Sequence, residues 1–433
     1  MDNEIYDIAV IGLGYIGLPT AATFASKGKR VAGVDVKQAT IESVNRGVVP
    51  FIEPDLAEVL EDAVGSGNLV AMTSMPAAKA YILALPTPLN ENNGADLSYL
   101  INAIDAIAPK LRGGELIIVE STSPPGTTEK LGQYLVATRG DLTVTNELGR
   151  THIYMAHSPE RVLPGRIMIE IVMNDRVIGG LTPEAADIAK DLYAVFCRGE
   201  IHLTDSTTAE MTKLVENTFR DVNIAFANEL SMISDKLGID VWRVIELANH
   251  HPRVNVLSPG PGVGGHCIAV DPWFIVDAVP EEAILTRTAR QVNDFKPQHV
   301  VGQVLSTLKD LSEARIAILG LTFKANIDDV RESPSVTIVE SLAQQAPNCR
   351  IDVVDPNVHE MPKRLAGFMN VGFSALDEAL DVADLVLLLV DHKEFASINQ
   401  ARLAGKKVID TKGIWKGLFK GSNEREAMVS TSV

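Results

Sequence analysis

Cysteine is scarce in this 433-residue chain, which carries only Cys197, Cys267 and Cys349. An odd number at such wide spacing forms neither a disulfide framework nor a zinc pattern, so no metal site is expected. Positive charge is in deficit: 39 Lys and Arg stand against 56 Asp and Glu, a formal charge of −17. That balance argues against nucleic acid or an anionic membrane as partner. Any phosphate ligand must find its cationic contacts gathered locally. The opening Met1-Asp2-Asn3-Glu4 lacks the basic stretch that begins a signal peptide. The apolar run Ile8 to Ala25 is broken by Gly12, Gly14, Gly17 and Pro19, and a strand, a turn and a helix explain it better than a membrane span. A reducing cytoplasm is the expected compartment. Low-complexity segments are also missing; the polar tail Asn423 to Val433 is expected to fray.

What is present is a βα rhythm. The length suits about two to three domains, and 46% hydrophobic with 22% charged residues is ordinary for a globular chain. Ile5 to Gly12 reads as a buried parallel strand running into Gly12-Leu13-Gly14-Tyr15-Ile16-Gly17, a G-x-G-x-x-G. A helix to Lys27-Gly28 and a second strand, Arg30 to Val36, follow, with Asp35 near the strand's end. In such a unit the glycines permit a tight turn and close approach of a pyrophosphate. The helix N-terminus faces that charge, and the acid binds the ribose hydroxyls. NAD is the expected cofactor, because the Asp35 carboxylate repels a 2′-phosphate. Strands at Ala80–Leu85, Leu116–Glu120, Ile153–Ala156 and Arg176–Ile178 continue the pattern. Ligands of these sheets bind beyond the carboxyl ends of the strands. Pro86-Thr87-Pro88, Ser121 to Gly126 and Ser158-Pro159-Glu160-Arg161 should therefore border one cleft, with Thr122 and Glu160 as its polar candidates.

The texture changes at Thr207-Thr208-Ala209-Glu210, which fits a capping box with Thr207 at the cap. Apolar residues then recur at helical spacing to Leu237, where Gly238 ends the run. Roughly 30 residues give a helix of about 45 Å, long enough for a connector or a subunit interface. Lys213 and Asn217, four apart, share a face of it. Glu281 to Phe295 reads as another helix, ended by Pro297, with a third running to about Leu311. From Arg315 the βα rhythm returns, with strands at Ile316–Gly320, Ile351–Asp355, Leu385–Val390 and Lys407–Asp410. No second G-x-G-x-x-G occurs here; Lys324 and Arg331 follow the first strand instead, which suits a mononucleotide phosphate. The expected fold is α/β: two Rossmann-like doubly wound domains, 1–203 and 312–433, joined by a helical domain, 204–311, with one long helix.

Between helix and last domain lies Gly262-Val263-Gly264-Gly265-His266-Cys267-Ile268-Ala269-Val270-Asp271-Pro272. Its glycines let the backbone come close to a ligand. Cys267 suits a nucleophile, because the thiolate is the reactive form and needs a polar setting. By itself the loop is better explained by a small buried residue on a turn, the commoner role of a free cysteine.

Taken together, these stretches resemble the UDP-glucose/GDP-mannose dehydrogenase family over essentially the full chain. The resemblance is carried by the Gly12–Gly17 loop, Ser121-Thr122, Pro159-Glu160-Arg161, Lys213 with Asn217, and Gly264-Gly265-His266-Cys267 with Asp271. Val292-Asn293-Asp294 and Gly320-Leu321-Thr322-Phe323-Lys324 leading to Arg331-Glu332-Ser333-Pro334 complete it. It implies two successive oxidations of a sugar 6-hydroxyl with two NAD. The length and apolar content of the central helix predict that it pairs with its copy in a homodimer. The run Cys267-Ile268-Ala269-Val270-Asp271 departs from the UDP-glucose branch. It is similar to the branch acting on UDP-N-acetylhexosamines, with UDP-N-acetyl-D-mannosamine the expected sugar and UDP-N-acetylglucosamine or UDP-glucose the alternatives. By the resemblance Cys267 is the nucleophile, with Lys213, Asn217, Asp271, Glu160 and Thr122 completing the catalytic set. Gly12, Gly14, Tyr15, Ile16, Gly17, Asp35, Pro86, Thr87, Ser121 and Thr122 would hold NAD. Glu160, Arg161, Val162, Lys213, Asn217, Arg253, Gly264, Gly265, His266, Lys324, Arg331 and Lys412 would hold the UDP-sugar, Lys412 standing where relatives often place an arginine. Two rivals are a two-electron hydroxyacid dehydrogenase, which needs neither the cysteine nor a third domain, and a silent NAD- or nucleotide-sugar-binding regulator.

Overall fold

The computed structural model describes residues 5–145, 147–163, 165–265, 267–308 and 313–415. The chain divides into two compact units, Met1–Glu216 with Trp273–Glu282, and Asn217–Pro272 with Ala283–Val433. In the first, β1 (Tyr6–Ile11), β2 (Val31–Val34), β3 (Leu69–Met72), β4 (Ala78–Leu83) and β5 (Leu116–Val119) are all parallel. A small pair, β6 (Leu142–Thr143) and β7 (Thr151–His152), stands apart from the main sheet. β8 (Tyr154–His157), β9 (Arg176–Gly180) and β10 (Ile201–Asp205) complete an eight-stranded sheet in the order β10-β9-β8-β5-β4-β1-β2-β3. β9 runs antiparallel to its neighbour β8, and β10 pairs parallel with β9, so these two strands oppose the rest of the sheet. Ile8, Val10 and Ile82 face one buried apolar cluster while Ala9, Tyr81 and Leu83 face another, as expected for strands covered on both sides.

In the second unit β11 (Arg315–Leu319), β12 (Arg350–Val354), β13 (Val371–Phe373), β14 (Leu385–Leu388) and β15 (Lys407–Asp410) form a parallel sheet in the order β13-β12-β11-β14-β15. The order in which strands are added switches sides between β11 and β14, as it does between β1 and β4 in the first sheet. Both sheets turn there on the same device. A Cβ on Gly12 (φ +93°) would meet the Ala84 carbonyl oxygen at 2.3 Å, and one on Gly320 (φ +99°) would meet the Val390 Cβ at 2.4 Å. In each, an aspartate closing the second strand accepts from the backbone just after that glycine: Asp35 from Leu13 N–H at 2.9 Å, Asp355 from Leu321 N–H at 2.7 Å. In the second sheet Asp355 also faces the fully buried His392, 3.3 Å away. The acid that would meet a ribose is thus engaged inside the protein, in keeping with the missing glycine fingerprint.

The long helix is Ser206–Leu237, 32 residues, or about 48 Å. Its start differs from the expected capping box. Asp205 is the cap, accepting from Thr208 N–H at 2.9 Å and Thr208 Oγ1 at 2.6 Å. Glu210 does not fold back on the helix start. Its carboxylate accepts from Gly126 N–H at 2.5 Å and Thr128 N–H at 2.7 Å, and so caps the helix Thr127–Thr138 instead. Pro297 does not end a helix either: Ile284–Thr307 is one helix with Pro297 inside it. Pro297 is buried against the Gly262 loop, and that packing outweighs the lost backbone hydrogen bond. The expected end near Leu311 and the tail Asn423 to Val433 lie outside the described residues.

Candidate active site

In the first unit the carboxyl ends of β1, β4, β5 and β8 bring the expected loops together. The helix Gly17–Ser26 opens without a side-chain cap, directly after the glycine loop. A Cβ at Gly17 would overlap the Gly12 carbonyl oxygen at 1.8 Å, while at Gly14 it would meet nothing within 4 Å. The loop is therefore folded tightly on itself and open on the side a pyrophosphate approaches. Asp35 keeps its carboxylate at this edge, its second oxygen accepting from Lys37 N–H at 2.9 Å. Tyr15, 41% exposed, stacks on Phe51 with ring centroids 4.2 Å apart. These residues fit NAD.

The next loops are tied to that site by short hydrogen bonds. Ser121 Oγ accepts from Leu85 N–H at 2.8 Å and donates to the Leu83 carbonyl at 3.0 Å. Thr87 Oγ1 donates to the Thr122 carbonyl at 2.6 Å, leaving the half-buried Thr122 side chain available. Pro86 is exposed beside them. Glu160 is buried, accepting from Arg161 N–H at 2.8 Å and from Arg176 Nη2 at 2.8 Å. Arg161 is turned onto Glu216 of the long helix, its Nη2 2.5 Å from Oε1, and so is engaged within the protein. Val162 packs against the core as a partly buried residue. Lys213 is half-buried on the same helix, one turn before Asn217.

In the second unit the glycine loop is pressed against the chain around β11. A Cβ on Gly264 would lie 2.5 Å from the Glu332 carbonyl oxygen and 2.8 Å from Pro334 Cδ. Gly265 (φ +86°) faces the Phe323 ring. These glycines are needed for close approach to their own chain, where the sequence suggested approach to a ligand. His266 lies outside the described residues. Cys267 is exposed, and its carbonyl accepts from Asp271 N–H at 2.8 Å. That turn leads into the helix Asp271–Ala278, so thiol and carboxylate sit one turn apart. Asp271 is buried and accepts from Asn217 Nδ2 at 2.6 Å. The Asn217 amide, expected as a donor to substrate oxygen, is spent at least in part on orienting this carboxylate.

Of the expected phosphate contacts, Lys324 and Arg253 are exposed. Arg331 is forked onto Asp329, with Nη2 2.6 Å from Oδ2. Lys412 is 3.2 Å from Asp391 Oδ1. Sequence reading passed over three buried polar residues, Glu120, Arg176 and Tyr193. The signal for them was a charge at either end of an otherwise apolar strand, Glu120 closing one and Arg176 opening another.

A dinucleotide loop on one mostly parallel sheet, a second, parallel sheet without that loop, and an accessible cysteine on a glycine turn are together features of a pyridine-nucleotide dehydrogenase. The comparisons narrow the class. The chain belongs to the UDP-glucose/GDP-mannose dehydrogenase family, matching its NAD binding domain over residues 6–197, its central domain over 207–295 and its UDP binding domain over 317–417. It is 51% identical over 418 residues to the UDP-N-acetyl-D-mannosamine dehydrogenase of Escherichia coli (strain K12), covering 94% of this chain and 99% of that one. It is equally 51% identical, over 416 residues, to the NDP-N-acetyl-D-galactosaminuronic acid dehydrogenase of Ralstonia nicotianae, covering 96% and 97%. The solved UDP-D-ManNAc dehydrogenase of Pyrococcus horikoshii superposes with a TM-score of 0.83 at 40% identity over 94% of this chain and 95% of that one. The protein is thus an NAD-dependent nucleotide-sugar dehydrogenase.

Proposed function

We propose that the chain oxidises the 6-hydroxyl of UDP-N-acetyl-D-mannosamine to the carboxylate, in the cytoplasm, for surface polysaccharide synthesis. The observation that carries this is the end-to-end match at 51% identity to a relative of that specificity, together with an exposed Cys267 one turn from a buried, oriented Asp271. The equal match to a relative named NDP-N-acetyl-D-galactosaminuronic acid dehydrogenase supports the galacto epimer as the second reading. Residues 1–203 would bind NAD, 204–311 would dimerise and contribute catalytic groups, and 312–433 would bind the UDP-sugar.

NAD, bound at the Gly12–Gly17 loop, supplies the hydride acceptor for both oxidations. Removal of hydride and a proton from the alcohol gives an aldehyde. The Cys267 thiolate adds to that aldehyde, forming a C–S bond and a thiohemiacetal, whose oxidation leaves a thioester. Water then forms the new C–O bond, the C–S bond breaks, and the thiolate is restored. Lys213 stabilises the negative oxygen that develops at each stage and favours the thiolate. Asn217 and Asp271 orient the groups around it, while Glu160 and Thr122 position the hydrolytic water. Lys324, Arg331, Arg253 and Lys412 meet the UDP-sugar; Arg331 and Lys412 would exchange their carboxylates for phosphate. An exposed nucleophilic thiol works only where it stays reduced, which favours the cytoplasm.

The test is a panel of UDP-N-acetylmannosamine, its galacto and gluco epimers and UDP-glucose, followed by NADH absorbance. Two NADH per sugar are expected, with the manno epimer giving the highest kcat/KM. One NADH per sugar would point to a two-electron dehydrogenase, and no NADH with any sugar to a silent binding protein.

The long helix also supports a homodimer. Phe219, Phe226, Ile233 and Leu237 recur at spacings of seven, seven and four and are 71%, 51%, 46% and 66% exposed. An apolar stripe of that period on one helix fits a second copy of itself. Sedimentation should give twice the chain mass at micromolar concentration, and Phe226→Lys should shift it toward the monomer. A wild-type monomer with full activity would sink the dimer.

A further inference from the structure

The reversal of β9 has a chemical consequence. Because β9 runs antiparallel to β8, its first residue, Arg176, reaches the carboxyl edge of the sheet, where Glu120 and Glu160 follow β5 and β8. All three are buried, as is Tyr193. Arg176 Nη2 donates to Glu160 Oε2 at 2.8 Å, and Nη1 donates to Ser158 Oγ at 3.3 Å and lies 3.7 Å from Glu120 Oε1. The guanidinium lies over the Tyr193 ring, 4.3 Å from its centroid. Glu120 accepts from Tyr193 Oη at 3.0 Å and from Thr20 Oγ1 at 3.2 Å.

Two carboxyl groups therefore share one guanidinium out of water. A buried charge without a partner is strongly disfavoured, so the cluster is best neutralised by one proton. Glu160 has the direct hydrogen bond to Arg176. Glu120 stands farther off, 3.7 Å from Nη1, and accepts from two hydroxyls instead. We propose that Arg176 and Glu120 are positioning residues for Glu160: Arg176 fixes its carboxylate, and Glu120 competes with it for the same guanidinium. This rests on the reading of Glu160 as the group that positions the water for thioester hydrolysis.

Each Glu160 oxygen keeps a lone pair beyond the one that meets Arg161 N–H or Arg176, so one can accept a proton from that water as its oxygen attacks the thioester. While Glu120 is neutral, Arg176 is committed to Glu160 and holds its carboxylate fast. When Glu120 ionises, Arg176 is shared between the two carboxylates, and Glu160 is freer to meet the water. The groups facing Glu120 are Thr20 on the helix Gly17–Ser26, Arg176 on β9, Tyr193 on the helix Pro183–Tyr193, and Glu160. Burial, with the Glu160 charge beside it, pushes the Glu120 carboxyl up to about 7. The change in how Arg176 is shared then falls in the neutral range.

Glu120→Gln fixes the neutral form with little change of shape. The readout is the decay of the acyl-enzyme, followed by quenched-flow mass spectrometry between pH 6 and 8. In the wild type it should rise roughly three- to tenfold over that range, whereas Glu120→Gln should stay near the low-pH rate throughout. Arg176→Lys keeps the charge but loses the fork, and should slow decay at every pH while NAD affinity is unchanged. An unaltered pH rise in Glu120→Gln would overturn the inference. So would failure of that variant to fold, since a site that holds a neutral acid below pH 7 tolerates its amide. Glu160→Gln separates the two readings. If it hydrolyses the acyl-enzyme at the wild-type rate, the role of Glu160 itself is wrong. If it is slow while Glu120→Gln follows the wild-type profile, only the present inference fails.

Discussion

Cys267→Ala is expected to lose steady-state formation of the uronic acid by on the order of a thousandfold or more, the scale at which removal of a nucleophile is felt. The first oxidation needs only hydride transfer and removal of a proton, so some alcohol oxidation should persist in this variant where the aldehyde is trapped. The second needs a covalent adduct at the aldehyde carbon, and alanine offers none. Cys267→Ser should behave differently. Serine keeps a small nucleophile of similar shape, but its adduct leaves an ester, which hydrolyses far less readily than a thioester. That variant should bind NAD and nucleotide normally, turn over slowly, and carry the mass of an acyl group. Lys213→Ala should impair both oxidations, because each passes through negative charge on the same oxygen. The exposed position of Cys267 makes the alanine change structurally mild, so thermal unfolding should be unaltered and the loss chemical. Uronic acid made by Cys267→Ala at a near wild-type rate would exclude the thioester route.

The parts of this site that were legible in sequence are those fixed by local backbone chemistry. The Gly12–Gly17 loop, Asp35 and the strand ends at Pro86 and Ser121 follow from spacing that only one strand–turn–helix geometry satisfies. Cys267 and Asp271 are likewise a local pair, one turn apart. Long-range partners were not legible. Thr207-Thr208-Ala209-Glu210 matches a capping box in composition, yet Glu210 meets Gly126 and Thr128, over 80 residues earlier. Pro297 carries a helix-breaking signal that buried packing overrides. The pairing of Glu120, Arg176 and Glu160 depends on β9 running against β8, and no local pattern announces that direction. The glycines around Cys267 are informative in sequence but ambiguous in cause. Only coordinates tell a glycine that admits a ligand from one that admits its own Glu332 carbonyl.

A second large effect is expected away from the chemistry, at Arg290. This arginine is 1% exposed on the helix Ile284–Thr307 and donates from Nη1 to Asp221 Oδ1 at 2.6 Å and from Nη2 to Asp294 Oδ1. Asp221 is wholly buried on the long helix and also accepts from Asn293 Nδ2 at 2.8 Å. Asn293 Oδ1 accepts from Asn228 Nδ2 at 2.9 Å, and Asn228 Oδ1 accepts from Gly260 N–H at 2.9 Å. One chain of polar contacts thus runs from Arg290 to the segment that opens the cysteine loop. Arg290→Met keeps most of the volume but strands the Asp221 carboxylate, at a cost of about 3–5 kcal/mol. For a unit of this size that corresponds to a fall in Tm of roughly 10 °C. Burial already pushes the Asp221 carboxyl up, with Arg290 opposing it; removing Arg290 pushes it further. An acid whose folded-state affinity for a proton exceeds its unfolded one adds stability at low pH and loses it as pH rises through the folded value. The Tm deficit of Arg290→Met should therefore be larger at pH 8 than at pH 5, and Asp221→Asn added to it should recover part of the loss. A deficit under 2 °C, or one that does not change with pH, would show that Arg290 is packed there without holding the charge of Asp221.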